Sequence, residues 1–260
     1  SVDLQTSIGI TALMTAAANG HLSTVLVLLQ HSADPDLQAS KGGTALMVAA
    51  SGRYEACVRA LLRAKANIEL PDKDGHTALR WTEEKGHTTT AQLIRQHAAP
   101  PQPAPASPAA PPDAGEPAVS SPASLPLEIF ESAERGKLQK VVTWLGKGGS
   151  VDALCSMPND DRTSAFGLLH AATACDRLEM VRELLKRGAS VDLLANLGTT
   201  TTALMGATLN GHLSVLLLLL QHSANPNLQS SNGQTALMAA AAKGQEACVQ
   251  ALLCAKANIN

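Results

Sequence analysis

The sequence predicts an all-α solenoid of short helix pairs, arranged as two arrays joined by a Pro/Ala-rich tether. Three observations carry that expectation. The 260 residues include 44 Ala and 38 Leu but only 2% aromatics, which suits short, closely packed helices better than sheets built from β-branched and aromatic residues. Thr-Ala-Leu recurs at Thr11, Thr44 and Thr77, and again at Thr202 and Thr235, with a step of 33 inside each set. Residues 98–124 hold nine of the 14 prolines and almost no aliphatic bulk, the composition of a semi-extended linker.

One unit can be built from its residues. Thr11 is a good N-cap, because its hydroxyl can accept from a free backbone N–H of the first turn. Ala12 to Asn19 then forms a short helix whose alanines let a neighbour approach closely, and Gly20 ends it in a left-handed conformation without a Cβ penalty. Leu22 to Gln30 forms the second helix, with Leu22, Val25, Leu26, Leu28 and Leu29 expected on its apolar face. Ala33-Asp-Pro-Asp cannot continue a helix and turns the chain outward into a finger that ends before the next Thr. Two helices of about nine residues bury too little surface alone, so each unit must stack on its neighbours.

Seven units can be placed. Units 1 to 3 occupy residues 1–97 and start at Thr11, Thr44 and Thr77. Unit 4 spans Leu127 to Asp152, where Gly136 to Val141 repeats the spacing of Gly20 to Val25. Unit 5 contains Leu168-Leu-His-Ala-Ala, and units 6 and 7 start at Thr202 and Thr235, so the second array fills residues 125–260 and its last unit is cut short. The step from Val141 to Val181 is 40, so the finger around Pro158-Asn-Asp-Asp carries an insertion, which in a solenoid maps to one face.

The 33-residue period, with Thr-Ala-Leu-Met, Gly-His-Leu and the closing Leu-Leu, resembles the ankyrin repeat, whose signature is Thr-Pro-Leu-His-x-Ala. The resemblance implies helix-turn-helix units with β-hairpin or finger loops between them. This chain departs from the pattern in placing Ala for Pro in all five Thr-Ala-Leu units and Met or Arg for His. Arg53 stands where Gly20 and Gly244 stand, and a left-handed arginine costs about 1–2 kcal/mol unless Gly52 shifts the turn. Unit 2 is therefore expected to be soft. By resemblance, the His after Gly ties the loop with hydrogen bonds, and Tyr54 takes that loop-closing place in unit 2.

Residues 11–68 and 202–259 align without gaps, with 40 identities in 58 positions, as if a whole cassette had been copied. Ser1-Val-Asp-Leu matches Ser190-Val-Asp-Leu and the sequence stops inside a finger at Asn260, so the chain reads as a piece of a longer protein. That protein is expected to carry a segment like 125–189 before residue 1 and one like 69–97 after residue 260. The outer units read as caps: Thr88-Thr-Thr and Arg95-Gln-His make the last helix of the first array polar, and Glu128, Glu131 and Glu134 do so for the first helix of the second. Pro105 and Pro108 give a P-x-x-P spacing, which this proline density produces by chance; the linker reads as a plain spacer before it reads as a docking segment.

Charge and chemistry exclude several classes. Residues 1–97 carry nine basic and nine acidic groups, and residues 125–260 eleven of each, so neither array has the cationic surplus that nucleic acid demands. The leucine-rich apolar run Val215 to Leu220 is far below the roughly 18 residues of a membrane span. His21/His31 and His212/His222 are spaced by ten, which fits no helical ligand pair, and no Cys-x-x-Cys or His-Glu-x-x-His is present. Cys175 and His170 lack an evident third group for nucleophilic catalysis. Five scattered cysteines read as reduced thiols. Thr199 to Thr202 reads as finger padding before a modification site. No cofactor and no metal are expected.

The expected function is binding without catalysis: a monomeric, cytoplasmic scaffold that holds protein or extended-peptide partners. The alternative is the targeting arm of a kinase or ubiquitin ligase whose catalytic domain lies elsewhere; a plain structural spacer is the third reading. By resemblance, recognition uses finger tips and the outer ends of the inner helices. Carried onto matching positions, that surface comprises Ile8, Ile10, Ala18 and Asn19, then Lys41, Ser51, Asp74, His76, Trp81, Glu84 and Lys85. In the second array it comprises Leu209, Asn210, Asn232, Gln234 and Lys243. Trp81 is either an interface anchor or the cover of an array end, and packing is the first expectation.

Overall fold

The computed structural model describes residues 2–97, 124–156, 165–196 and 199–257. The finger at Pro158 and the P-x-x-P spacing lie outside these residues. Each unit is a pair of helices. Units 1 to 3 comprise α1 (Ala12–Ala18) and α2 (Leu22–Gln30), α3 (Ala45–Ser51) and α4 (Glu55–Arg63), and α5 (Ala78–Glu84) and α6 (Thr88–His97). Units 4 and 5 comprise α7 (Leu127–Glu134) and α8 (Leu138–Gly146), and α9 (Leu168–Ala174) and α10 (Leu178–Lys186). Units 6 and 7 comprise α11 (Ala203–Asn210) and α12 (Leu213–Gln221), and α13 (Ala236–Lys243) and α14 (Glu246–Ala257).

The caps form where the Thr residues place them. The hydroxyls of Thr11, Thr44, Thr77, Thr202 and Thr235 each accept from the N–H three residues on, at 3.2–3.4 Å, which satisfies one of the orphan donors of the first turn. The inner helices bury alanine faces: Ala12, Ala16, Ala45, Ala49, Ala203 and Ala207 are at most 1% exposed. Without side-chain bulk there, neighbouring backbones come close and the leucines behind them fill the layer between inner and outer helices.

The outer helices differ from the expected face. On α2 the buried residues are Thr24, Val25, Val27 and Leu28, while Leu22 and Leu26 are 36% and 43% exposed. A sequence that is apolar all round does not say which side the next unit covers, and here the packed stripe is set by α4 and α14 on either side of α2. Leu217, the counterpart of Leu26, is likewise 43% exposed.

Arg53 adopts φ 63°, and Gly52 remains at φ −82°, so the turn does not shift and the arginine carries the left-handed conformation. Asp176, at the matching place in unit 5, does the same at φ 55°. The fingers are mostly turns. Between units 4 and 6, β1 (Leu154–Ser156), β2 (Ala165–Gly167), β3 (Ala195–Asn196) and β4 (Thr200–Thr201) form an antiparallel sheet in sequential order, with Cys155 opposite Phe166 and Asn196 opposite Thr200.

The inner helices stack in the order α7, α9, α11, α13, α1, α3, α5. The C-terminal array thus comes first, and its unit 7 packs directly on unit 1. This step copies the steps between units 1, 2 and 3. Ser7 N–H donates to Asn232 O, as Ser40 N–H does to Ile8 O and Lys73 N–H to Lys41 O. Gln229 Nε2 bridges Gly233 O and Gln5 O, as Gln38 Nε2 bridges Gly42 O and Pro71 O. Leu4 shares a small crevice with Pro226, Leu237, Leu252 and Leu253. The polar caps read from the sequence fall at the two outer ends of this single stack.

Candidate partner-binding surface

The stack order gathers the predicted surface. Leu209 and Asn210 lie on unit 6, Asn232, Gln234 and Lys243 on unit 7, Ile8, Ile10, Ala18 and Asn19 on unit 1, Lys41 and Ser51 on unit 2, and the remainder on unit 3. Five successive units therefore carry residues that the sequence divides between two arrays. Twelve of the sixteen are exposed; Ile10, Ser51, His76 and Trp81 are half-buried, and Ile10 packs against the core. Asn19 and Asn210 each donate from Nδ2 to the carbonyl four residues back, at 2.8 and 3.0 Å, so their carboxamides are held at the helix ends.

Unit 3 holds the densest polar cluster. Trp81 on α5 donates its indole N–H to Asp72 Oδ2 at 2.9 Å, and Asp72 Oδ1 accepts from the N–H groups of His76 and Asp74 at 2.8 and 3.0 Å. Desolvation pushes the Asp72 carboxyl up, but the His76 N–H, the indole and the Asp74 N–H, with the nearby His76 ring, outweigh it and hold its pKa below the usual value. His76 meets the Trp81 ring edge-on at 5.6 Å and lies 3.6 Å from Glu84. Lys85 Nζ donates to Ser51 Oγ at 2.7 Å and sits 5.5 Å from the Trp81 ring centroid. Trp81 is thereby both fixed and half-exposed, at the end of the stack. Asp72, which organises the cluster, was not among the residues singled out from the sequence; its signal was the finger sequence Asp72-Lys-Asp-Gly, in which an Asp side chain caps its own turn.

The other sequence candidates serve the stack. His21 Nε2 lies 3.1 Å from Ala242 O, His212 Nε2 3.1 Å from Ala174 O and His87 Nδ1 3.1 Å from Ala50 O, each joining one unit to the carbonyl end of the preceding inner helix. Tyr54 fills the matching place as a wedge: a Cβ on Gly20 would stand 2.4 Å from its ring, and one on Gly52 equally close. His170 is 6% exposed, with Nε2 3.3 Å from Thr201 O. Burial drives its pKa down to about 4 against the backbone hydrogen bonds at Thr201 and Leu193 and the Asp152 charge, so the ring is neutral at physiological pH. Cys175 caps the C-terminal end of α9. Among the described residues no group of three or more His, Cys, Asp or Glu is placed to hold a metal ion, and no helix is long and apolar enough to cross a membrane.

The family profile described as "Ankyrin repeats (3 copies)" matches residues 13–103 and 168–260, well over half of the sequence. The chain belongs to the ankyrin repeat family. A "Putative ankyrin repeat-containing protein" of Treponema pallidum (strain Nichols) is 40% identical over 75 residues, which cover 29% of this chain and 25% of that protein. Palmitoyltransferase ZDHHC13 of Mus musculus is 37% identical over 83 residues, 32% of this chain and 13% of that protein. The ankyrin chain thus spans a quarter or less of the length of these curated relatives. The crystal structure of the human ASB11 ankyrin repeat domain aligns with 94% of this chain and 96% of its own at 24% identity and a TM-score of 0.41. An ankyrin repeat chain is a protein-interaction scaffold, and the solenoid described above is of that kind.

Proposed function

We propose that the chain holds a protein or extended-peptide partner along the finger and inner-helix face of units 6, 7, 1, 2 and 3, without catalysing a reaction. The observation that carries this reading is the graded surface on five successive units. Exposed Leu209 and Ile8, at 45% and 57%, offer apolar contact, and Asp74, Glu84 and Lys85 around the fixed Trp81 ring offer charge at the unit 3 end. A rigid ring whose edge and lysine are already organised loses little entropy on binding. A specific complex buries about 800 Å² per partner, which several ankyrin units can supply. The mixed, weakly charged face favours a protein over nucleic acid.

The test is affinity purification with mass spectrometry from the source cell extract, comparing the native chain with the combined Asn19→Ala, Asp74→Ala and Lys85→Ala variant. Partners recovered by the native chain should be depleted at least tenfold by the variant while the circular dichroism spectra stay superimposable. Equal recovery of every partner would count against this surface. A second reading, an arm that brings substrates to an enzyme, draws on the match to a palmitoyltransferase over 13% of that enzyme's length; the full reading frame around this chain decides it.

A further inference from the structure

We propose that the partner is an acidic extended segment, which lays its carboxylates between the finger tips and the inner-helix ends of units 7, 1 and 2. This rests on the partner surface proposed above and names the chemistry that surface takes. The fingers and inner helices of units 6, 7, 1 and 2 (residues 196–211, 229–244, 5–20 and 38–53) contain Lys243, Lys41 and Arg53 but no Asp or Glu. Unit 3 differs: its residues 71–86 contain Asp72, Asp74, Glu83 and Glu84 against Lys73, Arg80 and Lys85. The groove is thus cationic along four units and meets carboxylates only where it reaches unit 3. An acidic segment is attracted by the first stretch and repelled by the second, which fixes where it stops.

The chain does not neutralise these cations itself. Lys41, Arg53 and Lys243 are exposed, and none of their side chains makes an ion pair or hydrogen bond with another described residue. The glutamates nearest in sequence are engaged along the outer helices instead. Glu55 accepts from Thr89 Oγ1 at 2.6 Å and lies 4.0 Å from Arg59, and Glu246 accepts from Gln250 Nε2 at 3.1 Å. Units 7 and 2 have a neighbour on each side, so this exposure belongs to the groove and not to an end of the stack. A cation at the C-terminal end of α13 offsets the helix dipole, which accounts for Lys243, but Lys41 stands on a finger with no helix to serve. Exposed Ser40, Asn232 and Gln234 add neutral donors along the finger side. Units 7 and 2 are two steps apart, about 16–20 Å along the stack. Acidic residues about five or six apart in an extended segment span that distance.

The experiment is fluorescence anisotropy of the full chain with a labelled Glu/Ser peptide of about 15 residues, long enough to cross units 7, 1 and 2. Its counterparts carry Gln or Lys for every Glu, and a further probe is a single-stranded oligouridylate of the same length. The Glu peptide should bind at least about tenfold tighter than the Gln and Lys peptides, and should weaken from about 50 to 500 mM salt. Lys41→Glu with Lys243→Glu should weaken it by at least about tenfold. Lys147→Glu with Lys186→Glu, the same charge change at exposed lysines of units 4 and 5, should leave it unchanged. Equal binding of the Glu and Gln peptides overturns the proposal, as does equal loss in the two reversed pairs or tighter binding of the oligouridylate. If the first reversal disturbs the circular dichroism spectrum, Lys41→Gln with Lys243→Gln carries the same comparison. The affinity purification separates this reading from the one beneath it. Partners lost to the Asn19, Asp74 and Lys85 variant but kept by the reversed pair leave the surface standing and remove its acidic ligand; partners kept by both remove the two together.

Discussion

Replacing Arg53 with glycine should stabilise this ankyrin chain. Arg53 is exposed and holds φ 63°, close to the glycines at matching turns, Gly20 at 72° and Gly244 at 65°. A left-handed conformation costs an L-residue about 1–2 kcal/mol. Glycine removes that cost but loses about 0.5–1 kcal/mol more chain entropy on folding. The net gain is about 0.5–1 kcal/mol. In urea, with a slope near 2 kcal/mol per molar, far-UV circular dichroism should show the midpoint rising by about 0.3–0.5 M. Because stacked units behave as a nearest-neighbour array, amide exchange should slow first in α3 and α4. An unchanged or lowered midpoint would refute the reasoning that the backbone at residue 53 sets the cost. Gly20→Ala is the mirror experiment. There φ is 72° and the new Cβ meets the Tyr54 ring at 2.4 Å, so the loss should exceed the about 1–2 kcal/mol of strain alone.

Three further outcomes are expected. The folded pKa of His170, about 4, lies below the value near 6.5 of an unfolded imidazole, so the unfolded chain takes up the proton first. This group's contribution is intact above about pH 6.5 and declines below it, by about 3 kcal/mol at pH 4; an NMR titration of the ring with a midpoint near 6.5 would contradict it. Asp72→Ala removes the acceptor of the Trp81 indole and should cost about 1–3 kcal/mol and red-shift the Trp81 emission, with Trp144→Phe used to isolate that signal. Cys254 is exposed, whereas burial raises the thiol pKa of Cys57, Cys155 and Cys248. A thiol reagent near pH 8 should label Cys254 first, and prompt labelling of Cys57 would show that unit 2 opens.

Much of the candidate surface was legible because it follows from alignment of units: once Thr44 and Thr77 are phased, Ser51, His76 and Lys85 take their places. What organises those residues was less visible. Asp72 acts through hydrogen bonds to Trp81, nine residues on, and to its own turn, and neither shows in a repeat pattern. The exposure of Leu22 and Leu26 was hidden for a different reason, since an outer helix of nearly uniform hydrophobicity does not record which flank its neighbours occupy.

By itself the sequence determined the repeat, the Thr caps and the polar ends, because each depends on bonds within a few residues of chain. The tertiary structure alone decided the order of the stack and the seating of unit 1 on unit 7. Those depend on complementary faces far apart along the chain, and inner helices α1, α3 and α13 present nearly the same alanines. Local chemistry says that a unit must have neighbours, and only packing in three dimensions says which.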